Sequence, residues 1–517
     1  MNGQIEQYDY LPAAAELKWQ PFDEYGFTSP WAPRLWQAAI GVNYVTSGLL
    51  TLAIGIGFAV VSDECRHWCL IPLLLCGAVA GPDLIAWFRK ELDGLDPKAL
   101  VAAHIYLTCF VAPLLHLSFE AYGEDFYVSG WADYFGYMAC FNFAGIILYK
   151  LVHNILFKRT RPVNSFWKMQ PGKFIYAFVP VLAISLGASA AITLFFGGLI
   201  KRAGVLSLSA GAEEYSGYLS VLLMLGDPTV SLIVMTVIYW LYQKNHDKPR
   251  SLGLVMILIM FAFILQFLLV GRRGSRSDIV VAVAALGGII HYRLRPFSPK
   301  LILLGMFAVV MFVYLYGFYK FLGPRGWEAF YSTQARTQMK YELGGNSPLA
   351  TVLNRAKSDV QAFLLFRLAE YKGQYEPVHG RTYAMAVLTF IPRAIWKTKP
   401  VSIKTEAGTA IQGYSSIRVS RRVYGLAGEA MLNFGYWGIV PAFLVFGMFL
   451  GWFRKKVATM EPSDSRFFLI PFVVLTCGLV LGSDSRNLVF GLLKMGVLPF
   501  LVVFIGSARA KFARSYE

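Results

Sequence analysis

Three stretches of this 517-residue chain gather cations in a pattern suited to a diphosphate. The first is Gly271-Arg272-Arg273-Gly274-Ser275-Arg276-Ser277-Asp278. The second is spread over a long polar interval and holds Arg381, Arg393, Lys397, Lys399, Arg418, Arg421 and Arg422. The third is Ser483-Asp484-Ser485-Arg486-Asn487, with Lys494 a couple of helical turns further on. A guanidinium presents a planar fork of donors that matches phosphate oxygens two at a time. Three such groups at one lipid–water boundary suit a pyrophosphate carried on a membrane lipid. The structural alternative for each is a cation that snorkels to a phospholipid headgroup.

Group transfer at such a site also needs a base. His379 is the sole histidine between residues 323 and 434, and an imidazole titrates where proton abstraction is useful. Glu429 lies where that interval re-enters an apolar run, and burial there would raise its pKa. Asp278 opens another apolar run. Against these roles stand an exposed loop histidine, a carboxylate paired with a nearby arginine, and an acid favoured by a helix N-terminus. Magnesium-dependent transfer wants closely spaced carboxylates. The polar intervals offer no Asp-x-Asp and no Glu/His cluster, so the expectation is no metal and no cofactor, with leaving-group charge met by Arg and Lys alone. Cys65-Arg66-His67-Trp68-Cys69 has only three ligand-type residues and reads as an irregular span end.

The elements that must position these groups are membrane helices. The chain is 56% hydrophobic and 15% charged, where a soluble protein carries about a quarter charged residues. Apolar runs near 39–61, 70–88, 101–119, 135–157, 174–200, 218–242, 252–270, 277–292, 301–322, 435–453, 467–483 and 488–508 predict an all-α polytopic membrane protein of about twelve transmembrane helices. The polar first 30-odd residues lead to the expectation of no cleavable signal peptide, with the first span serving as the insertion signal. Net charge is +17, which in this class reflects cytoplasmic retention of Lys and Arg, not nucleic acid.

Orientation follows from the short segments between runs. With the N-terminus inside, the segments 89–100, 158–173, 243–251, 293–300, 454–466 and 509–517 hold 21 Lys and Arg, against 7 in the short segments outside. The chain then divides into a cytoplasmic segment 1–38, spans over 39–322, a long external loop 323–434, spans over 435–508 and a cytoplasmic tail 509–517. The loop is partly helical: residues 349–372 have an amphipathic pattern that reads either as a helix on the outer membrane surface or as one packed on the loop's own core. Buried-looking polar residues also occur inside runs: Asp83 after Gly81-Pro82, Asp227 between Gly226 and Pro228, and His104 and His116 around the third.

With those residues in place, the chain resembles the Wzy-type O-antigen and exopolysaccharide polymerases, the oligosaccharide repeat-unit polymerases. The likeness rests on Gly274-Ser275-Arg276-Ser277-Asp278, Arg381-Thr382-Tyr383, the Ile391-Pro392-Arg393…Trp396…Lys399-Pro400 segment and Gly428-Glu429-Ala430…Asn433-Phe434-Gly435. It covers roughly residues 252–453; the first six spans show nothing that belongs to it. The resemblance implies a metal-independent glycosyltransferase with a GT-C-like membrane fold in the bacterial inner membrane, its active site facing the periplasm. Its substrate would be an undecaprenyl-pyrophosphate-linked oligosaccharide, and its partners the bilayer, a chain-length regulator and a flippase. Carried onto matching positions, Arg273 and Arg276 would hold pyrophosphate. Arg381, Arg393 and Lys399 would close over it, and Glu429 or His379 would act on the acceptor hydroxyl; beside them, Arg272, Tyr383, Arg422 and Arg486 stand as candidate binding residues and Asp278 as a further candidate base. A ligase of the same class, a polysaccharide or ion-coupled transporter using Asp83 or Asp227, and a non-catalytic scaffold are the competing readings.

Overall fold

The computed structural model describes residues 37–122, 128–157, 165–195, 221–244, 250–270, 276–322, 331–342, 358–371, 375–388 and 424–511, with positions 328, 353, 356, 391 and 396. The architecture is all-α apart from one two-stranded sheet. The helices are α1 (Gln37–Val61), α2 (Leu70–Phe88), α3 (Pro97–Phe119), α4 (Trp131–Phe157), α5 (Pro171–Phe195) and α6 (Val221–Lys244). After them come α7 (Leu252–Leu269), α8 (Arg276–Arg293), α9 (Pro299–Leu322), α10 (Thr333–Glu342) and α11 (Ser358–Glu370). The last five are α12 (Arg381–Val387), α13 (Gly425–Phe434), α14 (Tyr436–Ala458), α15 (Ile470–Leu479) and α16 (Ser485–Gly506).

Among the described residues, ten helices are long and apolar enough to cross a membrane. Each of the twelve apolar runs contains a helix, but two fall short of that standard. α8 carries Arg276, Asp278 and Arg293 within its 18 residues. α15 has 10 residues, about 15 Å of helix, against a hydrocarbon core of about 30 Å. Burial sorts the ten. In α1 and α9 only 17% of the apolar window is covered by protein, so their surfaces belong to lipid. In α3 the figure is 61% and in α6 56%, so these stand inside the bundle.

Close approach of α4 to α14 depends on absent side chains. A Cβ on Gly447 would sit 2.7 Å from the Tyr149 carbonyl oxygen, and one on Gly451 would sit 2.9 Å from that of His153. This is the small-xxx-small pattern by which membrane helices bring backbones together, where dispersion and not solvent exclusion drives contact.

The described parts of the six Lys/Arg-rich segments bond to one another at one end of the molecule. Asp96 pairs with Arg454 at 2.5 Å, and Arg454 Nη1 lies 3.1 Å from His153 Nε2. His291 Nε2 meets Asp93 at 2.9 Å, and Arg293 donates to the Pro462 and Asp464 carbonyls. Arg250 N donates to Leu294 O at 3.0 Å. β1 (Ser165–Met169) pairs antiparallel with β2 (Ser507–Lys511), with Ser165 opposite Lys511 and Met169 opposite Ser507. The C-terminal segment, expected to be a tail, is therefore tied to the 158–173 connection by a ladder.

At the opposite end, Trp68 Nε1 donates to Asp133 at 2.7 Å, and Leu426 N to Val480 O at 3.0 Å. α11 belongs there, but neither on the membrane surface nor on a separate loop core. Every residue from Ser358 to Phe366 is buried. The helix is packed into the cluster that holds Phe135, Tyr149, Tyr424 and Phe443. Burial all round means that its amphipathic pattern does not mark a lipid-facing side.

Candidate functional site

α13 is the centre of the opposite end, and its two ends are fixed by different parts of the chain. Gly425 has φ +66°, and a Cβ there would lie 1.8 Å from Leu481 O, so only glycine allows the helix to start against the turn between α15 and α16. The far end leaves carbonyls without intrahelical partners. Leu432 O accepts from Val378 N at 3.1 Å and from Tyr375 Oη at 2.9 Å, and Asn433 O accepts from His379 N at 2.8 Å. His379 and Gly380 have φ +48° and +86°, and Arg381 N donates to Val378 O at 3.0 Å. Two positive φ values inside a four-residue reversal are those of a type I′ turn. The backbone of His379 is thus a cap for α13, while its side chain is exposed.

Between these ends lies Glu429, 2% exposed. Its Oε1 accepts from Thr382 Oγ1 at 2.7 Å and from Ser485 Oγ at 2.5 Å, and its Oε2 accepts from Ser485 N at 2.6 Å. Asn433, one turn on, donates through Nδ2 to Thr382 Oγ1 at 2.6 Å and to Glu429 O at 2.8 Å. Thr382 N donates to Asn433 Oδ1 at 3.3 Å. The carboxyl pKa is raised by burial; donation from Ser485 and Thr382 works against that, and Asp484 adds to it. Tyr383 stacks on Phe434 with ring centroids 6.4 Å apart, and burial raises its phenol pKa, with Glu429 contributing.

The residues on either side of this network are arginines. Arg381 directly precedes Thr382 at the start of α12 and is exposed. Arg486 directly follows Ser485 at the start of α16 and is half-buried. Asp484 caps α16 by accepting from Asn487 N at 2.7 Å. One carboxylate therefore pins together two helix N-termini, each carrying an arginine in its first two residues.

Asp278 is engaged elsewhere. Its Oδ2 lies 2.7 Å from Lys494 Nζ, and the same ammonium lies 2.6 Å from Asp227 Oδ2. Lys494 is nine residues past Ser485, about 13.5 Å down α16. A carboxylate held by an ammonium is a poor free base, so Asp278 joins the first turn of α8 and the break in α6 to α16. Around that break, Ser185 Oγ donates to Leu225 O at 2.7 Å and Thr229 Oγ1 to Gly226 O at 2.7 Å, supplying partners the interrupted helix lacks.

Arg272, Arg273, Arg393, Lys399 and Arg422 lie outside the described residues, and Arg276 enters only as the first backbone position of α8. Among the described residues, no group of three or more His, Cys, Asp or Glu side chains could hold a metal ion. Cys65 and Cys69 are buried free thiols, with Cys65 Sγ 3.2 Å from Ser118 Oγ. Asp83 sits between Lys98 (2.8 Å) and Lys150 (2.9 Å), and His104 Nδ1 meets Gly478 O at 2.7 Å. Thr382, Ser485 and Asn433 are the residues that sequence reasoning passed over. All three stood inside quoted motifs, but nothing in their types announced a shared partner.

Comparison with protein-family models, with curated proteins and with solved structures finds no match.

Proposed function

We propose that the chain is a twelve-span, GT-C-like inner-membrane glycosyltransferase that polymerises undecaprenyl-pyrophosphate-linked repeat units into O-antigen, capsule or exopolysaccharide at the periplasmic face. The observation that carries this reading is the chain Arg381–Thr382–Glu429–Ser485–Arg486. It joins the Arg-Thr-Tyr, Gly-Glu-Ala and Ser-Arg-Asn stretches through one buried carboxylate.

In this reading Arg381 and Arg486 neutralise the pyrophosphate as the anomeric C–O bond breaks. The acceptor hydroxyl forms the new bond to that carbon and loses its proton to a base. The exposed imidazole of His379, two residues before Arg381, is the group we assign to accept it. Glu429 is the positioning residue, since three donors occupy its carboxylate. Asp278, in the first turn of α8, is joined to α16 through Lys494.

The test is a deletion strain with its surface glycan resolved by gel. Polymerase loss leaves single repeat units on the acceptor. Loss of a ligase strands long chains on the lipid carrier, and loss of a flippase leaves neither. Long chains of normal distribution in the deletion would overturn the reading for that glycan.

A further inference from the structure

The Glu429 end of the molecule also carries an apolar face, on the side of α12 away from the carboxylate. α12 buries Thr382, Met385 and Ala386 and leaves Ala384 and Val387 outside, with Val387 60% exposed. Tyr383 and Val387 are one turn apart and share a side of that helix. The Tyr383 ring stacks on Phe434, the last residue of α13, which is 50% exposed. Phe434 also closes on the start of α14: a Cβ on Gly438 would lie 2.9 Å from Phe434 Cβ. Next to that glycine, Trp437 is 71% exposed, its ring centroid 5.2 Å from Tyr436 and 5.8 Å from Phe141 of α4. Val387, Tyr383, Phe434 and Trp437 therefore trace one surface from α12, over the end of α13, to α14.

That surface continues as the outer side of a membrane span. α14 is long and apolar enough to cross a bilayer. Its exposed residues Trp437, Pro441, Val445, Met448 and Trp452 recur every three or four positions, a stripe down one side of the helix. Lys455 and Lys456 stand in its last turn. Trp437 and Lys455 are 18 residues apart, about 27 Å of helix, against a hydrocarbon core of about 30 Å. A bilayer crossed by α14 with these lysines among the headgroups therefore has its other boundary at Trp437. Tryptophan and tyrosine favour that level, because an apolar ring with one polar group suits a half-wet layer. Left in water, a connected apolar face of this kind is a surface that takes a partner.

We propose that α12 and the last turn of α13 are seated in the headgroup layer of the bilayer, with phospholipid as the partner of the face formed by Val387, Phe434 and Trp437. Residues 380–388 and 425–438 are then docked on the membrane and not held clear of it. A second copy of the chain could cover the same face, but continuity with the α14 stripe, whose length matches the bilayer, assigns it to lipid. This inference uses only the membrane-spanning character of α14 and does not depend on the glycosyl-transfer reading.

The experiment places a fluorophore on this face in the full chain, reconstituted into phosphatidylcholine nanodiscs. Val387→Cys and Ala384→Cys are labelled separately with nitrobenzoxadiazole in a Cys140→Ser background, since the other five cysteines are buried. Either variant suffices if the other does not fold. Glu376→Cys, exposed in the segment before α12, is the aqueous reference. Lipid chains brominated near the headgroup or near the chain end report contact with lipid, and iodide reports contact with water. The expected ratio of bromolipid to iodide quenching is several-fold higher at 384 and 387 than at 376, with shallow bromine acting more strongly than deep. A ratio at 384 and 387 no higher than at 376 puts the face in water and overturns the proposal. Silence toward both quenchers means that protein covers the face, from this chain or a second copy, and overturns it too. Stronger quenching by deep bromine overturns the headgroup depth.

Discussion

Ser485 grips both oxygens of Glu429, its amide reaching Oε2 at 2.6 Å and its hydroxyl Oε1 at 2.5 Å. The contact spans 56 residues of sequence and joins the end of the long polar interval to the start of the last helix. It makes the carboxylate a fastener between segments that each carry an arginine, and it underlies the first three expectations.

Glu429→Gln keeps the shape and replaces an acceptor by an amide NH2 facing Ser485 or Thr382. A hydrogen bond to a charged group contributes about 1.5–3 kcal/mol. The variant is expected to lower Tm and shorten glycan chains together. A double-mutant cycle with Thr382→Val should show coupling, because both changes break one network. Full additivity would separate the two residues.

The raised Glu429 pKa sets a sign for pH dependence. A group whose native pKa exceeds its unfolded value contributes stability that is complete below the unfolded pKa, about 4.3. That contribution is lost as pH rises through the native value. Tm of the wild type minus that of Glu429→Gln should therefore decline as pH increases from 4 toward neutrality. A difference that grows over that range would contradict the burial-driven shift.

Arg381 is exposed, so its removal should spare the fold and damage function. Arg381→Ala is expected to leave Tm unchanged while reducing long-chain glycan at least tenfold on quantified gels. Arg381→Lys should recover little, since an ammonium lacks the bidentate fork. Full rescue by lysine would mean that only a point charge is needed.

Lys494 separates two carboxylates, and deleting it leaves both without that counter-charge. Lys494→Met should be strongly destabilising, about 3–5 kcal/mol. The triple change Lys494→Met, Asp227→Asn, Asp278→Asn should be milder than the single change. Expression level and thermal unfolding in detergent report this order, and the reverse order would show that the charges act independently.

Gly447→Ala places a Cβ 2.7 Å from a main-chain carbonyl, and that backbone belongs to a helix that cannot shift alone. Loss of folded protein is expected. Gly187→Ala in α5 meets nothing within 4 Å and should be neutral or stabilising by about 0.5–1 kcal/mol. Size-exclusion profiles of the two variants give the comparison.

The sequence by itself determined the helices and their alternation. Apolar runs must bury backbone hydrogen bonds within themselves in lipid, so length and composition located a helix in each of twelve runs. Lys and Arg counts sorted the connections into two sets, and the Asp96–Arg454, Arg293–Asp464 and β1–β2 contacts join members of one set. Glu429 and the Arg381 and Arg486 stretches were also legible, since a buried acid and clustered guanidinium groups stand out against an apolar chain. What each residue faces was decided only by tertiary structure. Asp278 read equally as a candidate base or as an acid at a helix N-terminus, and neither reading named Lys494, 216 residues later, which meets it at 2.7 Å. α11 looked amphipathic until helices covered every side from Ser358 to Phe366. Thr382 and Ser485 gave no sign in advance, because a hydroxyl acquires its role from the group placed opposite it. Periodicity and charge are local properties of the chain, whereas the partner of a polar atom is set by packing between segments far apart in sequence.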